Sequence, residues 1–188
     1  MKKIIMPIFM ILTAVMLMAA LPTEAEGAIY EDTVRLHILA NSDSDEDQAL
    51  KLRLRDEILT QYGKTLSAFD SVEEAKSELS LKLDEIKLFA DGKMREWGYG
   101  YECTATLSQE WYETRDYGSF SLPAGYYSSL QIIIGEGEGK NWWCVMFPPL
   151  CLDAAVSSPK YTAEEEILIS KKYNIKFKLL ELISEITR

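Results

Sequence analysis

Apolar and charged residues alternate from Val34 to Leu39, which is the two-residue period of a strand with one buried face. The alternation predicts that the fold begins with a strand. A run of cap residues and acids follows from Asn41 to Asp47, and such residues accept hydrogen bonds from the free N–H groups of a first helical turn. A helix should therefore begin near Asp45, and Tyr62-Gly63 should end it.

A second, longer helix is predicted after Asp70-Ser71. Apolar residues recur from Ala75 to Trp97 at intervals of four and three, which is helical spacing. Asp91-Gly92 interrupts this pattern, so we expect the last turns to be kinked or separate.

Strands are predicted between Gly98 and Pro149, where the composition shifts to Tyr, Thr, Trp and Gly. This region should be antiparallel, with strands at Tyr126 to Ile134 and Asn141 to Phe147 joined as a hairpin by the glycine-rich loop between them. Near the end of the chain Ile175, Phe177 and Leu179 alternate like a strand, whereas Leu179, Ile183 and Ile186 have helical spacing, which favours a C-terminal helix for the last turns. The whole pattern predicts one α+β domain with an N-terminal strand, two helices, an antiparallel β region and a C-terminal helix.

Residues 1–25 have the pattern of an export signal. Lys2 and Lys3 precede an apolar stretch that runs from Ile4 to Leu21, and small residues follow at Ala25 and Gly27, either of which suits a cleavage site. The stretch of about 18 residues also approaches the length of a membrane span, so an uncleaved anchor is the alternative. In both cases residues 26–188 should form a single exported domain.

Composition narrows the classes of partner. The chain has 20 Lys and Arg against 30 Asp and Glu, a formal net charge of −10, which repels nucleic acid and anionic membrane surfaces. We therefore expect no nucleic-acid partner, and membrane contact only through an uncleaved N-terminal segment.

Three cysteines are too few for a disulfide scaffold. Outside the cytoplasm Cys144 and Cys151 could form a disulfide, and three buried thiols are the alternative.

Catalytic motifs are weak. Asp43, Asp45 and Asp47 begin like a calcium loop, but the sixth and twelfth positions lack the required Gly and Glu. His37 is the single histidine, so a multi-histidine metal site is excluded. A hydrolase built from His37, Asp43 and a Ser or Cys is the remaining enzymatic hypothesis, without a GxSxG motif to support it. We predict no catalytic residues, no metal and no cofactor. We therefore expect that the protein is not an enzyme.

Polar residues around His37 have two non-catalytic interpretations. Arg35 and His37 would pair with acids of the following loop and fix the strand to the helix start, or the same residues would form a recognition patch. Trp142-Trp143 adds a second candidate, because a strand directs successive side chains to opposite faces. At most one of these indoles can point into a one-sided core, and the other would be exposed or covered.

Two long blocks resemble a known family. Val34 to Lys51, and Gly135 to Cys151 preceded by Leu122-Pro123-Ala124-Gly125, look like the stage II sporulation protein R family. The resemblance implies a signalling protein that is made in the forespore of endospore-forming bacteria and exported into the space between forespore and mother cell. It also implies a partner, a membrane-embedded aspartic protease that cleaves the pro-sequence of sigma-E and is activated from its extracytoplasmic face.

The family supplies no settled binding residues, so the partner contacts are chosen from their chemistry. The strand-to-helix junction and the tryptophan pair provide the candidates, which are Arg35, His37, Asn41, Asp43, Asp47, Gln48, Trp142 and Trp143. The competing functions are an exported hydrolase that uses His37 and a structural or cell-wall-associated module.

Overall fold

The computed structural model describes residues 6–14, 24–66, 68–117 and 121–148. The predicted C-terminal helix and Cys151 lie outside these residues. The elements in chain order are a helix over 6–14 (α1), α2 (Glu24–Glu31), β1 (Val34–Leu39), α3 (Asp45–Ile58), a π-helical turn (Leu59–Gly63), α4 (Lys64–Leu66), α5 (Val72–Leu81), α6 (Leu83–Glu96), β2 (Cys103–Tyr112), β3 (Arg115–Asp116), β4 (Ser121–Leu122), β5 (Gly125–Ile134) and β6 (Asn141–Phe147).

The strand predicted at Val34–Leu39 is present with those bounds. Its alternation has the expected cause, because Val34, Leu36 and Ile38 are fully buried in the main core. The strand is not the first element of the fold, since α2 precedes it.

A four-stranded sheet carries β1 in its interior, in the order β2-β5-β1-β6. β1 runs parallel to β5, with Leu36 opposite Leu130, and antiparallel to β6, with Leu36 opposite Cys144. The prediction of a β5–β6 hairpin is therefore wrong, because β1 separates the two strands. The sheet as a whole is mixed, because β1 runs parallel to β5 and antiparallel to β6, but β1 lies outside the region from Gly98 to Pro149 for which antiparallel strands are predicted. Local alternation predicts strands but not which strand pairs with which.

The first predicted helix is confirmed in its start. Ser44 caps α3, and its side chain accepts a hydrogen bond from the Asp47 N–H. The predicted end at Tyr62-Gly63 coincides with the last residues of the π-helical turn.

The second predicted helix is two helices, α5 and α6, which meet at Lys82. The interruption expected at Asp91-Gly92 is wrong, because α6 continues through both residues. A glycine inside a helix costs only about 1 kcal/mol. The buried stripe of Ile86, Ala90 and Met94 packs across this point and outweighs that cost.

The main core lies between one face of the sheet and these helices. It joins Leu50, Leu54 and Ile58 of α3 to Leu130 and Ile132 of β5 and to the buried stripes of α5 and α6. Burial of each large apolar side chain stabilises the fold by about 1.5–3 kcal/mol. This packing places the junction between β1 and α3 at one end of the sheet.

The described residues divide into two compact units. Residues 30–110 with 126–148 form one unit, and 6–14, 24–29, 111–117 and 121–125 belong to the other. The second unit contains a two-stranded ribbon in which Arg115 of β3 lies opposite Leu122 of β4. The single-domain prediction stays a prediction.

Helix α1 lies inside the predicted export signal. Among the described helices none is long and apolar enough to span a membrane. The remainder of the apolar stretch lies outside the described residues, so the signal and the alternative anchor also stay predictions.

Candidate functional site

The loop 135–140 packs against the junction between β1 and α3. We refer to residues 40–48 together with this loop as the corner. The Gly139 N–H donates to the Ala40 carbonyl at 2.9 Å, and the Lys140 N–H donates to Asp43 Oδ1 at 2.7 Å. Hydrogen bonds from backbone N–H groups of the loop therefore join two segments that are almost a hundred residues apart in the sequence.

Glycine is required where the two segments touch. A Cβ atom on Gly139 would lie 2.2 Å from the Ser42 carbonyl oxygen. Gly135 has a φ of +55°, and a Cβ there would lie 2.2 Å from Asn41 Oδ1. Side chains at these positions would force the loop away from the junction, so the glycine-rich composition serves close packing.

Asp47 is the centre of the corner. Its carboxylate accepts hydrogen bonds from the Ser42 hydroxyl at 2.5 Å and from Asn41 Nδ2 at 2.9 Å, and Tyr101 contributes another. Burial acts to raise the pKa of Asp47, but the hydrogen bonds from Ser42, Asn41, Tyr101 and Ser44 outweigh it and hold the pKa below its usual value. The carboxylate is thus ionised and fully engaged inside the protein.

Gln48 and Lys51 extend this network along α3. Gln48 Nε2 donates to the Ser42 carbonyl at 2.8 Å. Lys51 Nζ donates to Gln48 Oε1 and to the Lys140 carbonyl, each at 2.7 Å. Burial lowers the pKa of Lys51, although the charge of Asp43 opposes that shift. A buried ammonium group therefore ties the helix to the end of the loop.

His37 lies on the opposite face of the sheet, in a second network. Its Nδ1 is 3.0 Å from Glu110 Oε2, and its Nε2 is 2.9 Å from Asn141 Oδ1. Gln131 Nε2 donates to the other oxygen of Glu110. The side chains of His37 and Glu110 are only 12% and 17% exposed, so the network is largely covered and links β1 to β2, β5 and β6.

The two tryptophans lie on opposite faces of β6, as predicted. Trp142 packs against the main core, with the Arg55 guanidinium 4.9 Å from its ring centre. Trp143 stacks on His37, with the rings 5.6 Å apart and inclined by 24°. Both indoles are half-buried, so each already has a protein partner on one side.

Arg35 is fully buried. Its guanidinium lies 5.0 Å from the centre of the Tyr127 ring, and Tyr127 makes an edge contact with Tyr30. The predicted pairing of Arg35 and His37 with the loop acids is wrong for His37, whose carboxylate partner is Glu110 of β2. Asp43 instead accepts the Lys140 N–H.

The eight candidate residues therefore fall into separate places. Asn41, Asp43, Asp47 and Gln48 meet in the corner, His37 and Trp143 meet on the other face of the sheet, and Arg35 and Trp142 are packed elsewhere. Sequence reasoning missed Glu110, Gln131, Asn141, Tyr101 and Lys51. These residues make contacts between elements that are distant in the sequence, and such contacts leave no local pattern. The alternation around Glu110 indicates only that it belongs to a strand.

The cysteines differ in state. Cys144 is disulfide-bonded, and Cys103 is free and buried. The predicted pairing of Cys144 with Cys151 stays a prediction, since Cys151 is outside the described residues. Burial and the neighbouring Asp91 carboxylate raise the pKa of the Cys103 thiol to about 12, which makes it a poor nucleophile.

Within the described ranges no three His, Cys, Asp or Glu side chains are grouped closely enough to hold a metal ion.

Comparison with known proteins gives one family. Residues 30–157 match the family model described as stage II sporulation protein R, and this range contains the corner and the His37 network. The chain is 38% identical to stage II sporulation protein R of Bacillus subtilis (strain 168) over 144 residues, which is 77% of this chain and 64% of that protein. The match thus spans less than two thirds of the relative. No solved structure matches.

Proposed function

This chain belongs to the stage II sporulation protein R family, and on that premise we propose that it is an exported signal that activates a membrane-embedded aspartic protease during sporulation. The activated protease then processes pro-sigma-E in the mother cell. The observation that carries the proposal is the family match over residues 30–157. A role in sporulation follows from the family, and the protease step is our proposal.

The signal acts from the space between forespore and mother cell. Lys2, Lys3 and the apolar stretch from Ile4 to Leu21 support export from the forespore. A disulfide at Cys144 supports the same location, because disulfides persist in oxidising surroundings.

The hydrogen bonds of His37 support a non-enzymatic role. A general base needs one ring nitrogen directed at the nucleophile. Here Nδ1 faces Glu110 and Nε2 faces Asn141, and Asp43 is engaged by the loop. The His37–Asp43 pair that the hydrolase hypothesis needs is not formed, and the ring instead joins three strands.

Activation requires more than binding. A ligand shifts a conformational equilibrium only by the difference between its affinities for the two states. The chain must therefore bind the active assembly of the protease more tightly than the inactive one. A domain whose corner is already locked by Asp47 and Lys51 presents a fixed surface, which reduces the ordering cost of such a contact.

Reconstitution tests the proposal. The full chain, the aspartic protease and pro-sigma-E are co-produced in vegetative cells that lack other sporulation proteins, and pro-sequence removal is followed by immunoblot. We expect processing only when this chain is present and exported. The matched control is the same chain without residues 2–25, which stays in the cytoplasm and should not act.

Two results would count against the proposal. The first is an absence of processing when all three proteins are correctly located. The second is equal processing by the chain that lacks residues 2–25. His37→Gln tests the hydrolase alternative. A well-folded His37→Gln variant that still drives processing would mean that the imidazole takes no part in a reaction.

A further inference from the structure

β2 is an edge strand of the sheet. It is ten residues long, compared with about five or six for an average strand. Thr104, Thr106 and Ser108 are exposed, and Ala105 and Leu107 between them are half-buried against the main core. Among the described strands none pairs with the outer side of β2. Within the part of the chain that the structure describes, the middle of the strand, residues 104–108, is therefore unpaired along its outer edge, and we refer to it as the open edge.

Both ends of β2 are fixed. At the start, the Cys103 N–H donates to Asp91 Oδ1 at 2.8 Å, and the carbonyl of Glu102 accepts the Gly135 N–H at 2.9 Å. The start of the strand is thereby tied to α6 and to the corner loop.

The other end is held on both faces of the sheet. Gln109 Nε2 donates to the Ser128 hydroxyl at 2.9 Å, and the Glu110 carboxylate pairs with His37 and Gln131. These ties keep the backbone groups between the two ends in place. A preformed strand loses little conformational freedom when another strand is added to it.

The open edge lacks the features that usually prevent strand addition. Natural edge strands are protected by Lys, Pro, bulges or short length. The segment from Cys103 to Tyr112 contains no Lys, Arg, Pro or Gly. The opposite edge differs, because Val145, Met146 and Phe147 of β6 are buried. Side-chain burial thus differs between the two edge strands of the described sheet.

We propose that the open edge is the docking site for an extended segment of the partner protein, which adds to β2 as a fifth strand. This inference rests on the proposed function and specifies the interaction surface. The sheet dictates the pattern of the segment. Side chains beside Ala105 and Leu107 should be apolar, and those beside Thr104 and Thr106 should be polar.

Charge favours a basic segment as the occupant of the open edge. Glu102 is exposed at one end of the open edge, and no cationic residue lies between Cys103 and Tyr112. A second copy of this chain would bring another net charge of −10 against the same edge, which is repulsive. A partner segment with a Lys or Arg near Glu102 is attracted instead.

Photo-crosslinking in the reconstituted system tests the surface directly. A benzophenone amino acid replaces Thr106 in the full chain, and in a control it replaces Ser80, an exposed residue of α5. We expect an adduct with the protease from position 106, mapped to an extracytoplasmic segment of alternating pattern, and none from position 80.

Two charge variants at the same site test the chemistry. Thr106→Lys should lower the processing rate roughly tenfold, since it repels a basic segment and blocks strand addition. Thr106→Glu places the opposite charge at the same position, and the pro-sequence should be removed faster with this variant than with Thr106→Lys. Ser80→Lys adds the same charge as Thr106→Lys on a helix and should process like the unchanged chain. Secreted amounts and thermal unfolding are measured for each variant.

The outcomes separate this inference from the proposed function. One outcome is that the unchanged chain activates processing, position 106 gives no adduct and Thr106→Lys does not change the processing rate. Docking at the open edge would then be wrong, and the proposed function would stand. An adduct of twice the mass of this chain would make a second copy the occupant and overturn the basic partner segment. Equal loss from Thr106→Lys and Thr106→Glu would overturn the charge argument. If the unchanged chain does not activate processing, the inference falls together with the proposed function.

Discussion

At the corner, Asn41, Asp47 and Gln48 direct their polar atoms into the protein, whereas at the open edge Thr104 and Thr106 direct theirs to solvent. Both regions are rich in hydrogen-bonding groups. At the corner these groups are used by the loop 135–140 and by one another. Among the described residues, the hydrogen bonds that side chains form with β2 lie at the two ends of the strand.

The contrast shows that polar character in a sequence does not identify a recognition surface. A group that is hydrogen-bonded internally contributes to stability, and a partner gains little by competing for it. An open strand edge has unused backbone groups whatever its side chains are. Substitutions at the corner should therefore act on stability, and substitutions at the open edge should act on activation.

Asp47→Ala should give the largest effect on stability. It removes a buried carboxylate and leaves the Asn41 amide and the Ser42 hydroxyl without their acceptor, at a cost of about 3 kcal/mol in the free energy of unfolding. Denaturant unfolding followed by tryptophan fluorescence measures it. Asp45→Ala is the matched control, because Asp45 is exposed in the same helical turn and should contribute less than about 1 kcal/mol through the helix dipole. Equal losses from the two variants would remove the distinction between a buried and an exposed acid at the corner.

The contribution of Asp47 should also depend on pH. Its pKa in the fold lies below the ordinary value of 3.8, so the folded state favours the carboxylate more than the unfolded state does. The stabilisation is present above pH 3.8 and is lost as the pH falls below it. The difference in unfolding free energy between the unchanged chain and Asp47→Asn should therefore narrow in acid. A difference that stays constant down to the lowest pH would mean that Asp47 does not act through its charge.

Gly139→Ala should destabilise the fold by about 2 kcal/mol, because its Cβ would meet the Ser42 carbonyl and force the loop outward. Gly92 provides the control inside α6, since nothing lies within 4 Å of a Cβ there. Gly92→Ala should stabilise the fold by up to about 1 kcal/mol through helix propensity. If the glycines of the loop are needed for close packing, thermal unfolding should show a lower midpoint temperature for Gly139→Ala and a higher one for Gly92→Ala.

Glu110→Ala should cost about 1 to 2 kcal/mol, because His37 and Gln131 lose their shared acceptor at the fixed end of β2. Glu102→Ala, an exposed acid at the other end, should leave the free energy of unfolding nearly unchanged. Chemical denaturation of the pair compares the two ends of the strand. A stable Glu110→Ala variant would mean that the open edge is not held by the His37 network.

The sequence predicts local elements well and pairings poorly. β1 and the start of α3 follow from the alternation at 34–39 and from the cap at Ser44, which are short-range effects. The position of β1 between β5 and β6 depends on contacts across about a hundred residues, and no local pattern encodes it. The break at Lys82 instead of Gly92 has the same origin, since tertiary packing of Ile86, Ala90 and Met94 overrides the propensity of one residue.

The candidate site shows the same limit. The acids from Asp43 to Asp47 are recognisable as a helix start, and that prediction is confirmed. The hydrogen bond from the loop 135–140 to Asp43 could have been suspected only from the three spaced glycines of the loop, which signal a close approach of backbones. The partners of His37 come from three other strands and are set by the sheet order, so the choice of Glu110 over the neighbouring acids could not be read from the sequence.

Thr106→Lys should give the smallest effect on stability and tests the comparison most sharply. Because Thr106 is exposed on an edge strand, a lysine there can extend into solvent, and the free energy of unfolding should change by less than about 0.5 kcal/mol. Denaturant unfolding alongside Glu110→Ala measures the middle and the fixed end of one strand under the same conditions. A loss from Thr106→Lys as large as that from Glu110→Ala would mean that the middle of β2 is packed rather than open. A negligible loss, together with reduced activation, would show that the protein uses this segment for contact and not for folding.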